Sequence, residues 1–539
     1  MNVEDLLEGK TEDKFKRYKI FRSLSRYNYF PNQKQSIGEL PDCFSTSKFT
    51  PEVCLKLLSG GISKSRKRSG FAPVEFKSTR YNNIPRILSL VHPVAHAQLC
   101  LHIRNYWNEI EYISDNESSR VRPQFYEEDR RIIIMNYDDP IVKDRKHNII
   151  TFGKKYLVKA DIANCFDSIY SHSLSWAIVG YDHAKTTRDP QLWFNKFDKY
   201  LSTTKRCETN GMPVGPATSS ICLEIILARI DSKLKAQGFE HERYVDDFCC
   251  YCSTKEQAEK FIIKLSEFLA EYRLSLNLRK TSIVDLPISS TDDWVVELNH
   301  LCMDRYNDNG ELIKCTSKEA LNIINKALIL SKSHKDGSVI KFSVSSIVKK
   351  LEDSAYQDVF ECLLSLSFYY PILIPYLSIL LDKGKLDVSR YICNINMIIS
   401  ENAIHNRSDG MAWPLHIFRE NDIEPTEDII EQVLATKDCV SITILQDICP
   451  GNEKIREFVV NVSSDVDIKK DEYWLLLYQS FLRGDISNPY DERCFDVLKE
   501  YGVTFFKSDI STKSENKCDS VDAVWAFNLF ESMPLTNSA

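Results

Sequence analysis

The stretch RYVDDFCCYC, Arg243 to Cys252, sets two carboxylates side by side in a run that is otherwise aromatic, β-branched and thiol. A buried carboxylate is unfavourable unless a positive charge or several donors face it, so Asp246 and Asp247 need partners. Apolar flanks on both sides of the pair make the stretch a β-hairpin with both acids at its tight turn, where Asp tolerates the backbone geometry. An acidic pair of this kind is ordinarily a solvated turn, but a third acid changes the reading. In YLVKADIANCFDSIY an apolar strand ends at Asp161, followed by Phe166 and a helix that Asp167 or Ser168 would cap. If the two strands are neighbours, Asp161, Asp246 and Asp247 converge into a hard, oxygen-rich site of the kind Mg2+ prefers, with Mn2+ as a substitute. Two such ions about 3.5–4 Å apart activate an attacking 3′-hydroxyl and stabilise a leaving pyrophosphate, which is nucleotidyl transfer.

Two further segments fit that chemistry. NGMPVGPATSS, Asn210 to Ser220, supplies Pro213 and Gly215 for a rigid turn with close backbone approach, then small residues opening a helix whose N-terminus favours anionic groups. In LSLNLRKTSIV, Lys280 is either an exposed lysine at a strand start or an ammonium that neutralises the leaving pyrophosphate. Cys249 and Cys252 form a C-x-x-C, but they share one strand with no second Cys/His pair nearby, so core packing is the better reading than a zinc site.

These elements sit in a chain of 539 residues, 43% hydrophobic and 27% charged, long enough for about two to four domains. The formal charge of −7 excludes a uniformly basic coat for nucleic acid but leaves room for local positive patches. One such patch runs from Ser63 to Arg86, with seven positive residues (Lys64, Arg66, Lys67, Arg68, Lys77, Arg80 and Arg86) against a single acid, Glu75. Taken alone it reads as a solvated loop. The 17 scattered cysteines suit reduced core thiols. A charged N-terminus and the lack of an apolar run of spanning length point to a cytoplasmic protein with no membrane partner. From Tyr126 to Tyr251, β-rich runs such as RRIIIMNY and KKYLVKADI alternate with helices near Ser171–Val179 and Pro216–Gln237, an α+β pattern. After about residue 315 the pattern is helical throughout, as in a stacked helical array, though with no fixed sequence period.

In this order, the D-I-x-x-x-F-D-S-I block, GMPVGPATS, YVDDF and LNLRKT resemble the four landmark motifs of a reverse transcriptase palm, over about residues 80–285. SIYSHSLSWAIVGYDHAK and SSRVRP…DRRIII further resemble the bacterial abortive-infection, defence-associated reverse transcriptases, which carry an α-helical repeat region in place of a thumb. The resemblance implies right-hand polymerase fingers and palm over residues 1–295, a HEAT-like helical-repeat domain over 296–506, and a polar tail over 507–539. It implies that Asp161, Asp246 and Asp247 hold two Mg2+ ions and that Phe166 crowds a ribose 2′-hydroxyl, favouring dNTPs. Arg130 and Arg131 would meet the triphosphate from a fingers strand. Lys64, Arg66, Lys67, Arg68 and Arg86 would then track a nucleic-acid backbone. Implied partners are an RNA template, including a dedicated non-coding RNA, a DNA product and further copies of the chain; the implied role is antiphage defence. Val214 replaces a frequent Gln, and Phe248 a frequent Tyr. Template-independent or protein-primed synthesis by the same site is one alternative, and a non-catalytic nucleic-acid-binding phage sensor is another.

Overall fold

In a computed structural model of the chain, residues 3–31, 38–80, 83–135, 140–334 and 338–507 are described. The sheet that carries the acids has four strands, β3 (Tyr156–Asp161), β4 (His241–Tyr244), β5 (Asp247–Cys252) and β6 (Ser282–Asp285), after an earlier hairpin of β1 (Val74–Thr79) and β2 (Pro85–Leu90). The order β4-β5-β3-β6 is antiparallel at every step, with β3 in the centre. Period-two patterning explains the placement. On β3, Val158 and Ala160 are buried on one face and Lys159 is exposed on the other. The helix Lys255–Glu271 packs on β3 and β5 and against the long helix Ala217–Ala236, closing the core beneath the sheet.

Two expectations change here. The basic segment after Ser63 is a short helix, Lys64–Ser69, leading into the β1–β2 hairpin rather than a loop. The run RRIII forms no strand: Asn28 serves its backbone instead, accepting from Ile132 N at 2.8 Å and Ile133 N at 3.3 Å and donating to the Ile133 carbonyl at 2.9 Å.

Helices dominate from Asp293 onward. Helix Asp293–Cys302 shares a cluster of Trp294, Leu298, Ala327, Leu330 and Val339 with the two helices that follow it. A capping box of Thr316 and Glu319 starts the next helix, Ser317–Ser333, which pairs with Ser338–Ile347. The pairs Tyr356–Ser367 with Ile374–Gly384, Ile392–Ile404 with Ser408–Glu420, and Glu427–Thr436 with Cys439–Ile448 follow, then Glu453–Ser463 and Trp474–Arg483. First members touch first members down the row, and from Ile374–Gly384 onward second members touch second, a two-layer stack of HEAT type.

The middle and the end of this stack return to the β1–β2 hairpin. Ser408 Oγ accepts from Lys77 N at 2.9 Å, and Asp409 accepts from Thr79 N and Thr79 Oγ1, both at 2.6 Å. The free edge of β1, otherwise a row of unpaired donors, is thus satisfied by side chains of the helical region. Trp474 Nε1 donates to the Leu90 carbonyl at 3.0 Å, and Phe505 packs among Tyr29, Phe49 and Trp474. No helix among the described residues is long and apolar enough to cross a membrane. The expected tail, 507–539, lies outside the described residues beyond Lys507.

Candidate active site

Strand register brings the acids together. Asp161, the last residue of β3, lies opposite Asp247, the first of β5, and Ile162 N donates to the Asp246 carbonyl at 3.3 Å. Asp161 is buried; its Oδ1 accepts from Asn277 Nδ2 at 3.0 Å and its Oδ2 from Lys280 Nζ at 2.9 Å. Asn277 N also donates to the Asp161 carbonyl at 2.7 Å, so the LNLRK segment is pinned to the end of β3. Asn277 escaped the sequence reading, although it stands three residues before Lys280 in the quoted motif.

The electrostatics are those of crowded carboxylates. Burial pushes the Asp246 carboxyl up and the Asp161 charge adds to this, while a backbone hydrogen bond, Lys280 and Arg86 oppose it without cancelling it. Asp247 is pushed up to about 6 by the protein around it, by the Asp246 charge and by its hydrogen bond to Asp161, although its residue opens to solvent at the turn. The hydrogen bond to Asp161 in turn raises Lys280. Among the described residues no group of three or more His, Cys, Asp or Glu side chains is drawn together around a cation position. Asn277 and Lys280 take the oxygens of Asp161. The turn itself departs from expectation. Its left-handed residue is Val245, at φ 56°, and not an aspartate. Asp247 already belongs to β5.

Phe166 lies in a single helical turn, Cys165–Ser168, entered through a left-handed Asn164. Neither Asp167 nor Ser168 caps the next helix, His172–Val179; Ser168 Oγ donates back to the carbonyls of Ala163 and Asn164, each at 2.8 Å. The half-buried Phe166 offers its carbonyl to Met212 N at 3.0 Å, which seats the Pro213 loop beside it. Pro213 is buried, and a Cβ on Gly215, at φ 133°, would stand 2.7 Å from Pro31 Cβ, so the close approach read from the sequence is real. The Val214 carbonyl accepts from Ser89 N at 2.8 Å, tying the loop to β2. His172, at the helix start, is bonded to Asp198, and that bond raises its pKa.

Among the expected cations, Arg86 on β2 lies within the field of the acids. Burial lowers its guanidinium, and Glu39 and Asp246 counteract this. Arg130 Nη1 donates to Tyr27 OH at 3.1 Å, and Arg131 Nε lies 3.8 Å from Asp129, both on irregular backbone instead of the expected strand. Lys64, Lys67 and Arg68 are exposed on their short helix. Arg66 corrects the expectation of a phosphate-binding role: its side chain is 1% exposed and clamps Asp471 through two bonds of 2.6 and 2.9 Å. Cys249 points away from the core face shared by Cys250 and Cys252, whose sulfurs are 3.7 Å apart, so Cys249 and Cys252 do not share an ion.

Residues 116–302 match the family described as "Reverse transcriptase (RNA-dependent DNA polymerase)". No curated protein matches the chain. Similar solved structures include apo telomerase from Candida tropicalis truncated from the C-terminal domain, at 16% identity over 47% of this chain and 59% of that one, TM-score 0.28. Apo telomerase from the same organism is 13% identical over 76% of this chain and 74% of that one, TM-score 0.32. Telomerase from Candida albicans in complex with a TWJ fragment of telomeric RNA is 11% identical over 74% and 71%, TM-score 0.27. Asp161, Asp246, Asp247 and Lys280 all fall inside the matched segment, so residues 116–302 form a reverse transcriptase domain that includes the acidic cluster.

Proposed function

We propose that the chain extends a nucleic-acid 3′ end with deoxynucleotides on an RNA template, with two divalent ions held by Asp161, Asp246 and Asp247, as part of a defence against bacteriophage. The observation that supports this most is the register that sets Asp161 opposite Asp247, with the Asp246 carbonyl bonded to Ile162, the residue that follows β3. The raised carboxyls of Asp246 and Asp247 are short of positive charge, and an all-oxygen donor set suits a hard cation. Such ions, when bound, sharpen the 3′-hydroxyl as a nucleophile and offset charge on the departing pyrophosphate.

The chain's own residues do the rest. Lys280, 64% exposed and bonded to Asp161 at 2.9 Å, would exchange that carboxylate for the pyrophosphate and donate a proton from Nζ. Arg86 offers its guanidinium to the triphosphate, a role the sequence reading gave to Arg130 and Arg131. Phe166, held by Met212, crowds the ribose 2′ position, and the Pro213–Gly215 backbone seats the base pair at the N-terminus of the helix Ala217–Ala236. Lys64, Lys67 and Arg68 remain open to backbone phosphates. The defensive role is supported by the likeness of SIYSHSLSWAIVGYDHAK to the abortive-infection enzymes and by the helical stack behind the palm.

Primer extension on an RNA template with dNTPs or NTPs tests the reading. Wild type is expected to use dNTPs, and Phe166→Ala to raise NTP use relative to dNTP by about 10-fold or more, as for a lost steric filter. Equal use of both by wild type would overturn the role of Phe166, and unaltered phage protection by Asp161→Asn would place the defence outside the polymerase site.

A further inference from the structure

Arg243 stands two residues before Val245 and three before Asp246, yet its side chain leaves the cleft and passes to the core side of the sheet, where it is 0% exposed. Nη1 and Nη2 reach the two oxygens of Glu224, each at 2.8 Å, while Nη2 and Nε reach Asp231 Oδ2 at 2.9 and 3.2 Å. Nη1 also donates to the carbonyl of Val245 at 2.6 Å. Glu224 and Asp231 are both buried and sit two turns apart on one face of the helix Ala217–Ala236. Asp231 is held further by Asn116 Nδ2 at 2.7 Å and by His241 Nε2 at 3.0 Å. Burial opposes a charge on Arg243, and the two carboxylates overcome it, so the guanidinium stays ionised.

Two features make this more than core packing. First, Val245 carries the left-handed conformation of the turn, which a β-branched residue adopts only under outside constraint. The Arg243 fork supplies that constraint at the Val245 carbonyl, next to Asp246. Second, the helix that anchors the fork begins at Ala217, directly after the Pro213–Gly215 loop. A planar guanidinium with its donors committed in fixed directions transmits the position of that helix to the turn, which a flexible ammonium does not do.

We infer that Arg243 is a positioning residue: through Glu224, Asp231 and the Val245 carbonyl it locks the turn bearing Asp246 and Asp247 to the helix that opens at the nucleotide loop. This rests on the proposed reading of the acids as ligands of a divalent ion. The test is Arg243→Lys, which keeps the charge and loses the fork, read by three measurements: hydrogen exchange of the 241–252 segment, Mn2+ affinity by electron paramagnetic resonance, and the kcat-against-KM split for dNTP. For a group that orients metal ligands, Mn2+ affinity and kcat are expected to fall about 10- to 100-fold, with the dNTP KM little changed. Exchange in the turn should quicken while that of the helix Ala217–Ala236 stays at the wild-type level. Val245→Gly, which removes the objection to left-handed backbone, is expected to restore part of the kcat when added to Arg243→Lys. Wild-type values in all three measurements, or a uniform loss across the domain with no rescue, would overturn the inference. Should Arg243→Lys fail to fold, Glu224→Gln gives the same readouts with the fork weakened and the volume kept. A wild-type protein that neither binds Mn2+ nor polymerises would sink the reading of the acids, while turn exchange would still decide the role of Arg243.

Discussion

Replacing Arg66 by alanine separates a structural role from a nucleic-acid role with an effect large enough to measure. The side chains of Arg66 and Asp471 are 1% and 0% exposed and are joined by two bonds of 2.6 and 2.9 Å. Removing one partner of such a pair costs about 3–5 kcal/mol, because the other charge is left buried. The guanidinium also lies 4.8 Å from the centre of the Phe71 ring and 5.2 Å from that of Tyr490, worth about 0.5–2 kcal/mol more. Against this, Asp471 keeps donors in Tyr490 OH at 3.0 Å and Ala72 N at 3.3 Å. Burial holds Asp471 up at about 6 even against the pull of Arg66, so once the guanidinium is gone the carboxyl rises further and takes a proton at neutral pH, which limits the penalty. The net expectation is a loss of about 3 kcal/mol, some two orders of magnitude in the docked fraction of this junction. Urea denaturation measures it, and hydrogen exchange over 64–72 and 467–494 locates it. Alanine at the exposed Lys64, Lys67 or Arg68 should shift stability by no more than about 0.5 kcal/mol. If these three bind phosphates, each such substitution should instead flatten the salt dependence of nucleic-acid binding, by about 0.7–0.9 in log–log slope. If Arg66→Ala left stability unchanged and reduced that slope, the assignment of Arg66 to the fold would be refuted.

Two other expectations concern the same junction and the acids. Thr79→Val removes the hydroxyl bonded to buried Asp409 at 2.6 Å without changing volume; a loss of about 1.5–3 kcal/mol, with faster exchange of the Lys77 and Thr79 amides, should follow, and unchanged exchange would show that the β1 edge does not depend on the helical region. Because the folded-state pKa of Asp247 is raised to about 6, protons compete for the site as pH falls through that value. Mn2+ affinity should therefore weaken from pH 7.5 to 5.5, and a flat profile in a titration would contradict the crowding of the three acids.

The strands that carry the acids were legible because each signal was local. The apolar runs YLVKAD and DFCCYC, with acids at the strand ends, are signals that depend on no distant residue. What failed was whatever depended on a partner far along the chain. RRIII has strand composition, yet the N–H groups of Ile132 and Ile133 and the Ile133 carbonyl go to Asn28, while the carbonyls of Arg131 and Ile132 take the amides of Tyr126 and Gln124, and no pattern in the run announces that. Arg66 shares a basic run with Lys64, Lys67 and Arg68, but one face of that short helix is covered by a segment some 400 residues away, and composition does not reveal which residue faces it. The helices after about residue 315 were readable from three- and four-residue spacing, whereas their docking rests on Ser408 and Asp409, which open the otherwise apolar helix Ser408–Glu420 and bond β1, and on Asp471, which ends the short charged helix Asp467–Asp471 and bonds Arg66. A lone buried acid in such a helix is a signal that something must face it, and it was open to use. The turn was misassigned by one step for a related reason: Asp is the better residue for a left-handed position, and only the Arg243 clamp explains why Val245 occupies it instead.

The most direct measurement is incorporation of labelled dNTPs by the purified chain in Mg2+ or Mn2+, comparing wild type with Asp246→Asn at matched folding. The expected result is product from wild type, none after chelation, and at least about a thousand-fold less from Asp246→Asn, roughly 4 kcal/mol of lost transition-state stabilisation. Equal product from both proteins, or an Asp246→Asn enzyme as active as wild type in either ion, would contradict the assignment of the three aspartates to catalysis.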